Sequence, residues 1–171
     1  AFQLGGRYNP ITNSWIPFGS SPLSRSSHTA VWTGSRMIVF GGRCEPSGSP
    51  SCESTPPYIG FPRYYGDGFS FDPATNTFVS IASRGLIGRS YHRAVWTGSR
   101  MIVWGGFYEF RLGPGSDGKG WNTLGDGGVY DPADNSWALV ASSTVPQDRY
   151  THGAVWEGSR MLVVGGASYK R

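Results

Sequence analysis

The chain has 171 residues, 38% hydrophobic and 15% aromatic, which suits one packed domain and is too apolar for a disordered segment. No run of about 18 consecutive apolar residues occurs, which excludes a transmembrane helix. The net charge of +4 does not mark a nucleic-acid binder: apart from Lys119 and Lys170 every basic residue is Arg, and no basic run or basic helix could track phosphates.

The chain opens at Ala1 with neither a Met nor a charged segment leading into an apolar one, and reads as a processed chain or a piece of a longer one. The first pattern, GRYNPITNSWIPF at 6–18, predicts a strand, a turn at Asn9-Pro10 and a second strand. Then comes HTAVWTGSRMIVFGG at 28–42: two short strands rich in Val, Ile and Trp around a tight Gly-containing hairpin, ending at a Gly-Gly pair. A long insertion over 43–68 leads to FSFDPATNTFVSI at 69–81, again strand, turn, strand. Asp72 sets that turn by accepting from nearby backbone N–H groups while Pro73 fixes φ. The cassette returns as HRAVWTGSRMIVWGG at 92–106, followed by an insertion over 107–127 and GVYDPADNSWALV at 128–140; it returns once more as HGAVWEGSRMLVVGG at 152–166. The pairs Tyr8/Trp15, Phe71/Phe78 and Tyr130/Trp137 flank equivalent turns and are expected to pack between neighbouring sheets.

One cassette written three times means a supersecondary unit that buries its faces against copies of itself. Four antiparallel strands per unit, apolar on both faces, predict the blade of a β-propeller. A Gly-Gly pair, an aromatic before Asp-Pro, an Asn just before the next aromatic, and R-x-x-H ahead of the next strand: this pattern resembles the kelch repeat over nearly the whole chain outside the insertions. The wording VWTGSRMIV is similar to that of bacterial exported kelch proteins. The resemblance implies an all-β, kelch-type propeller: a half-blade at 4–18, complete blades at 28–81 and 92–140, and a half-blade at 152–166. Kelch-like propellers include protein-binding adaptors, galactose-oxidase-type enzymes and sugar mutarotases, so the fold leaves the function open. Three blades' worth of strands leaves open edges. A dimer closing a six-bladed ring, a longer parent chain, or a polymer joined through half-blades would each cover them.

Tight, uniform turns lie on one face of such a propeller, and both insertions lie on the other. Loops this long inside a compact domain are usually functional. The first holds Tyr58, Phe61, Arg63, Tyr64 and Tyr65; the second holds Phe107, Tyr108, Phe110, Arg111 and Trp121. Aromatic rings with Arg are the composition of contact surfaces for proteins or sugars, and these residues are the expected binding site. The alternative is that the rings fold back and cap the blade edges.

Little in the chain points to catalysis. His28, His92 and His152 each end an R-x-x-H motif, so they are expected to sit one blade apart in structural roles and not to converge on a metal. Arg25, Arg89 and Arg149 are expected to tie loop backbone together between blades. Cys44 and Cys52, C-x7-C in one loop, read as a disulfide and hence an oxidising compartment, with free thiols as the alternative. Copper chemistry of the galactose-oxidase kind is not carried over, because both Cys lie in one loop and every His in the repeat motif. Asp67 and Asp126 recur in GDG as turn residues, and Asp117 lacks the spacing of a calcium loop. The expectation is a secreted or cell-surface, non-catalytic module without cofactor, binding a protein or glycan. The runner-up is a carbohydrate-active enzyme, for which Glu45, Glu53 and Glu109 are the insertion glutamates.

Overall fold

The computed structural model describes residues 5–19, 24–45, 52, 62–83, 85–113, 118–140 and 146–169 and, at Arg111, the backbone only. Tyr58, Phe61, Glu53 and Asp117 lie outside these residues. In chain order, β1 (Gly5–Asn9) and β2 (Ser14–Phe18) form a hairpin. β3 (Thr29–Trp32) and β4 (Met37–Phe40) follow, then a small inserted hairpin of β5 (Arg43–Cys44) and β6 (Arg63–Tyr64), then β7 (Gly68–Asp72) and β8 (Thr77–Ile81). The second unit repeats this with β9 (Arg93–Trp96), β10 (Met101–Trp104), the inserted hairpin β11 (Phe107–Arg111) and β12 (Lys119–Thr123), β13 (Gly127–Asp131) and β14 (Ser136–Leu139). β15 (Gly153–Trp156) and β16 (Met161–Val164) repeat only the first two strands.

The sheets run β3-β4-β7-β8 and β9-β10-β13-β14, all neighbours antiparallel. These are two complete blades flanked by two half-blades. The inner strands β3, β9 and β15 lie side by side and stack the units.

Local chemistry fixes each corner. The Asp72 and Asp131 carboxylates accept from the N–H of Ala74 and Ala133 at 2.9 and 3.0 Å, and Asn9 does the same for Ile11 at 2.9 Å. Four residues on, Asn13, Asn76 and Asn135 hold φ of 48°, 56° and 54°, a left-handed turn position that Asn tolerates. The expected aromatic pairs are direct cross-strand partners, with ring centroids 5.2, 4.7 and 5.2 Å apart for Tyr8–Trp15, Phe71–Phe78 and Tyr130–Trp137.

The main core is the junction between the two complete blades. Ile38, Phe40 and Ile81 of the first pack with Met101, Val103 and Tyr130 of the second, with Ala94, Trp96 and Trp137 alongside. Trp137 Nε1 donates to the Ala82 carbonyl at 2.7 Å, tying the outer strands across the same seam. A strand covered on both faces has no exposed alternation, and β4 is buried or half-buried throughout. β16 carries nearly the same residues but is covered on one face, so burial alternates along it.

Candidate functional site

The R-x-x-H motif holds the blades in place. Arg89 is fully buried, and its guanidinium donates to the carbonyls of Gly105 and Asp126 and pairs with the Asp126 carboxylate at 2.9 Å. Arg25 does the same with Gly41 and Asp67. Both Asp residues thus have a partner beyond their turn. The side chains hold loop backbone as well: Arg89 Nε donates to the Ile87 carbonyl at 3.1 Å and Arg149 Nε to the Gln147 carbonyl at 2.9 Å, both in stretches that join one blade to the next. A further inter-blade link is the Arg backbone, whose carbonyl accepts from Gly42 N–H at 2.8 Å for Arg89 and from Gly106 N–H at 2.9 Å for Arg149.

The three His differ in ways that the motif does not show. His92 is buried, bonds Thr29 Oγ1 at 2.7 Å and sits edge-on to Phe40. His152 is equally buried, lies edge-on to Trp104 and has no hydrogen-bond partner among the described residues for either ring nitrogen, so it serves as packing. His28 is exposed. Burial, aided by the Arg89 charge, pushes the His92 imidazole down to about 3; burial and the nearby Arg93 and Arg149 hold His152 at about 4. Among the described residues, no three His, Cys, Asp or Glu side chains converge on a metal position.

The two insertions emerge from fixed stems. Gly41 N–H donates to the Asp67 carbonyl and Gly105 N–H to the Asp126 carbonyl, both at 3.0 Å, closing each loop at its base. In the first insertion a disulfide joins Cys44 and Cys52, whose Cα atoms are 5.2 Å apart, and both bury against Tyr65. The Arg25 guanidinium lies 4.5 Å from the Tyr65 ring centroid and Arg63 lies 5.4 Å from it. Tyr65 is 3% exposed and therefore belongs to the interior, not to the contact surface expected of it. Arg63 is exposed and Tyr64 half-buried.

Tyr64 links the two hairpins, its ring edge-on to Phe107 and Tyr108 at 6.2 and 6.4 Å. Burial pushes its hydroxyl up to about 12 against the opposing pull of Arg43. In the second hairpin the register places Trp121 opposite Glu109 and Phe110 opposite Gly120. Strand alternation then separates two faces. Tyr108, Phe110 and Asn122 share one, with Asn122 Nδ2 donating to the Tyr108 hydroxyl at 3.1 Å; Phe107, Glu109 and Trp121 share the other. On that second face the rings continue: Phe107 lies against Tyr91, Tyr150 and Tyr169, Tyr169 stacks on Trp121 at 6.0 Å, and Tyr150 stacks on Tyr169 at 5.1 Å. The Tyr150 hydroxyl, hydrogen-bonded to Tyr169, is pushed up to about 12. Of these rings Phe110, Trp121 and Tyr169 stand open, at 40%, 51% and 51% exposure.

Tyr91, Tyr150 and Tyr169 are not among the residues singled out from the insertions. Tyr91 and Tyr150 occupy the variable positions of R-x-x-H, which read Ser26-Ser27, Ser90-Tyr91 and Tyr150-Thr151 in the three copies, and that variation was the signal. Of the insertion glutamates, Glu45 pairs with Arg43 at 2.8 Å and Glu109 with Lys119 at 4.0 Å. The site is an aromatic seam across two clamped hairpins, suited to contact.

Two comparisons with known proteins bear on this architecture. Residues 7–171 match the model of the KLHDC2/KLHL20/DRC7 Kelch-repeats domain. The chain is also 25% identical over 163 residues to an Arabidopsis thaliana protein that carries the name F-box/kelch-repeat protein. That match takes in 90% of this chain and 39% of the relative, so the chain spans well under half the relative's length.

Proposed function

Because the chain belongs to the kelch-repeat domain family, we propose that it is a non-catalytic binding module whose partner, a protein first of all, docks on the insertion face. The carrying observation is the seam of rings from Tyr64 through Phe107 to Tyr150, Tyr169 and Trp121, outermost members open to solvent. Rings already packed against one another lose little side-chain entropy on binding, and Tyr and Trp bury large areas with two rotatable bonds each. Arg63, exposed on the first hairpin, adds charge that favours acidic patches on the partner.

A glycan is the second reading, supported by Trp121 and Tyr169, half-exposed aromatic side chains of the kind that pack on sugar rings. The module works outside the cell in this reading, on the strength of the Cys44–Cys52 disulfide. Screening the chain against displayed proteins and a glycan array, with Trp121→Ala and Tyr169→Ala as controls, tests the site. Loss of binding in both with unchanged melting supports it; binding that survives both removes it. Thiol labelling of material taken from its source without reductant tests the location, because rapid labelling of Cys44 and Cys52 is incompatible with it.

A further inference from the structure

The two complete blades meet tightly at one end of their strands and leave a gap at the other. Phe40 and Ile81 of the first blade are buried in the shared core. One cross-strand row nearer the tight turns, the first blade sets Ile38, Ser70 and Val79 side by side. That row does not fill the space before Trp96 and Tyr130 of the second blade, and a groove of about 560 Å³ remains. It opens between the β3–β4 turn and the β9–β10 and β13–β14 turns, on the face opposite the insertions. Both walls belong to complete blades.

Ser70 gives the first wall its polarity. The same position of the second blade is Val129, set between Ile102 and Ala138 as Ser70 is between Ile38 and Val79. Ser70 is half-buried, and its hydroxyl has no hydrogen-bond partner among the described residues. On the other wall the Asn135 amide is held in one orientation, because Oδ1 accepts from the Tyr130 hydroxyl and from Ala82 N–H, each at 2.8 Å. Both Nδ2 protons of this exposed side chain are left for a ligand. Ser99, exposed in the β9–β10 turn, adds a hydroxyl at the mouth. Arg36, the charged side chain of the described lining, is already paired with Asp72 at 3.3 Å.

We propose that this groove is a second binding site, away from the insertions, for a ring of a neutral saccharide. A wholly apolar ligand would strip water from Ser70 and Asn135 and leave them unpaired, which is costly. An ion would meet no unpaired opposite charge in the described lining. A sugar ring offers apolar C–H faces to Val79 and Trp96, and hydroxyls around its edge that both donate and accept. The polar groups of the groove are spread in the same way, over both walls and the mouth. Its volume falls within the roughly 300–1,000 Å³ usual for small-molecule sites. This site shares no residue with the insertion face, so either reading can fail without the other.

The test is a titration of the isotope-labelled chain with glucose, galactose, mannose, N-acetylglucosamine and their β-linked dimers, followed by amide and indole shifts. Each sugar is taken to about 50 mM, above the millimolar Kd of a weak site. At least one is expected to move the amides of the three turns and the Trp96 indole, and to do so equally in Trp121→Ala. Ser70→Val copies the second blade; it is expected to weaken this binding about tenfold or more with melting unchanged or raised. Asn135→Asp keeps the acceptor and the left-handed turn while removing both donors, and is expected to weaken binding about threefold to tenfold. The uronic acid of the sugar that binds should bind no tighter than the sugar itself. The proposal is overturned if no sugar moves these signals, if Ser70→Val binds like the wild type, or if the charged sugar binds more tightly.

Discussion

At Gly41 the backbone holds φ of 68°, and a Cβ there would lie 2.5 Å from His92 Cε1 and 2.9 Å from the Arg89 carbonyl oxygen. Gly165 has the same φ of 68° with nothing within 4 Å. Gly41→Ala is therefore expected to cost about 2–5 kcal/mol, a left-handed penalty plus overpacking, and Gly165→Ala about 1–2 kcal/mol, the penalty alone. Denaturant titration of both at dilute concentration checks the difference. The buried His residues make a second prediction. Both are held neutral when folded and regain ordinary proton affinity when unfolded, so the unfolded chain binds more protons as pH drops. Stability is complete above about pH 6.5 and falls as pH goes down toward 4 for His152 and 3 for His92, each contributing a slope of at most about 1.4 kcal/mol per pH unit. His92→Gln should flatten that slope between pH 6 and 4 whatever it does to stability at pH 7. An unchanged slope would mean that His92 titrates normally. The sequence shows that His92 and Gly41 recur, but their mating is a matter of Cβ clearance across a junction, which no linear pattern carries.

The blade strands and their turns were legible to within a residue or two, because alternation, D-P-x-x-N and T-G-S each have a local cause; the hairpins β5/β6 and β11/β12 lie in stretches that read only as loops. Less legible was which residues of an insertion face outward. Tyr64 and Tyr65 are neighbours of the same type, yet one joins the seam and the other lies beneath Arg25 against the disulfide. Two-residue strands such as β5 and β6 are too short for alternation to assign a face. The Arg residues show the same limit at the level of the blade. Arg89 is sealed by the next unit and Arg149, at the edge of the last one, is only half-buried, although the motif is the same. Arg89→Met leaves the Gly105 and Asp126 carbonyls without their donor, while the Asp126 carboxylate, 44% exposed, turns to solvent; it is expected to cost about 2–4 kcal/mol. Arg149→Met, which loses hydrogen bonds to Gly165 and Gln147 near solvent, should cost about 1 kcal/mol. Equal losses in urea titrations of the two variants would show that burial does not set their worth.

Stacked repeats are stabilised by their neighbours, so protection should fall from the middle of the stack outward. Hydrogen exchange is expected to be slowest in β4 and β10, each paired on both edges, and fastest in β1 and β16. A uniform profile would argue for one all-or-none unit. The molecule as a whole also separates two jobs along the chain. Each insertion begins at a Gly-Gly pair and ends at an Asp whose carbonyl is fixed to that pair at 3.0 Å, so the base of the loop is the same whatever lies between. Apart from the buried Cys44, Cys52, Tyr65, Phe107 and Leu124, length and composition in those stretches are expected to drift without shifting the register of the blade strands. Loop libraries that keep those residues and vary the rest between Gly42 and Asp67, or between Gly106 and Asp126, would therefore inherit a folded scaffold with new specificity.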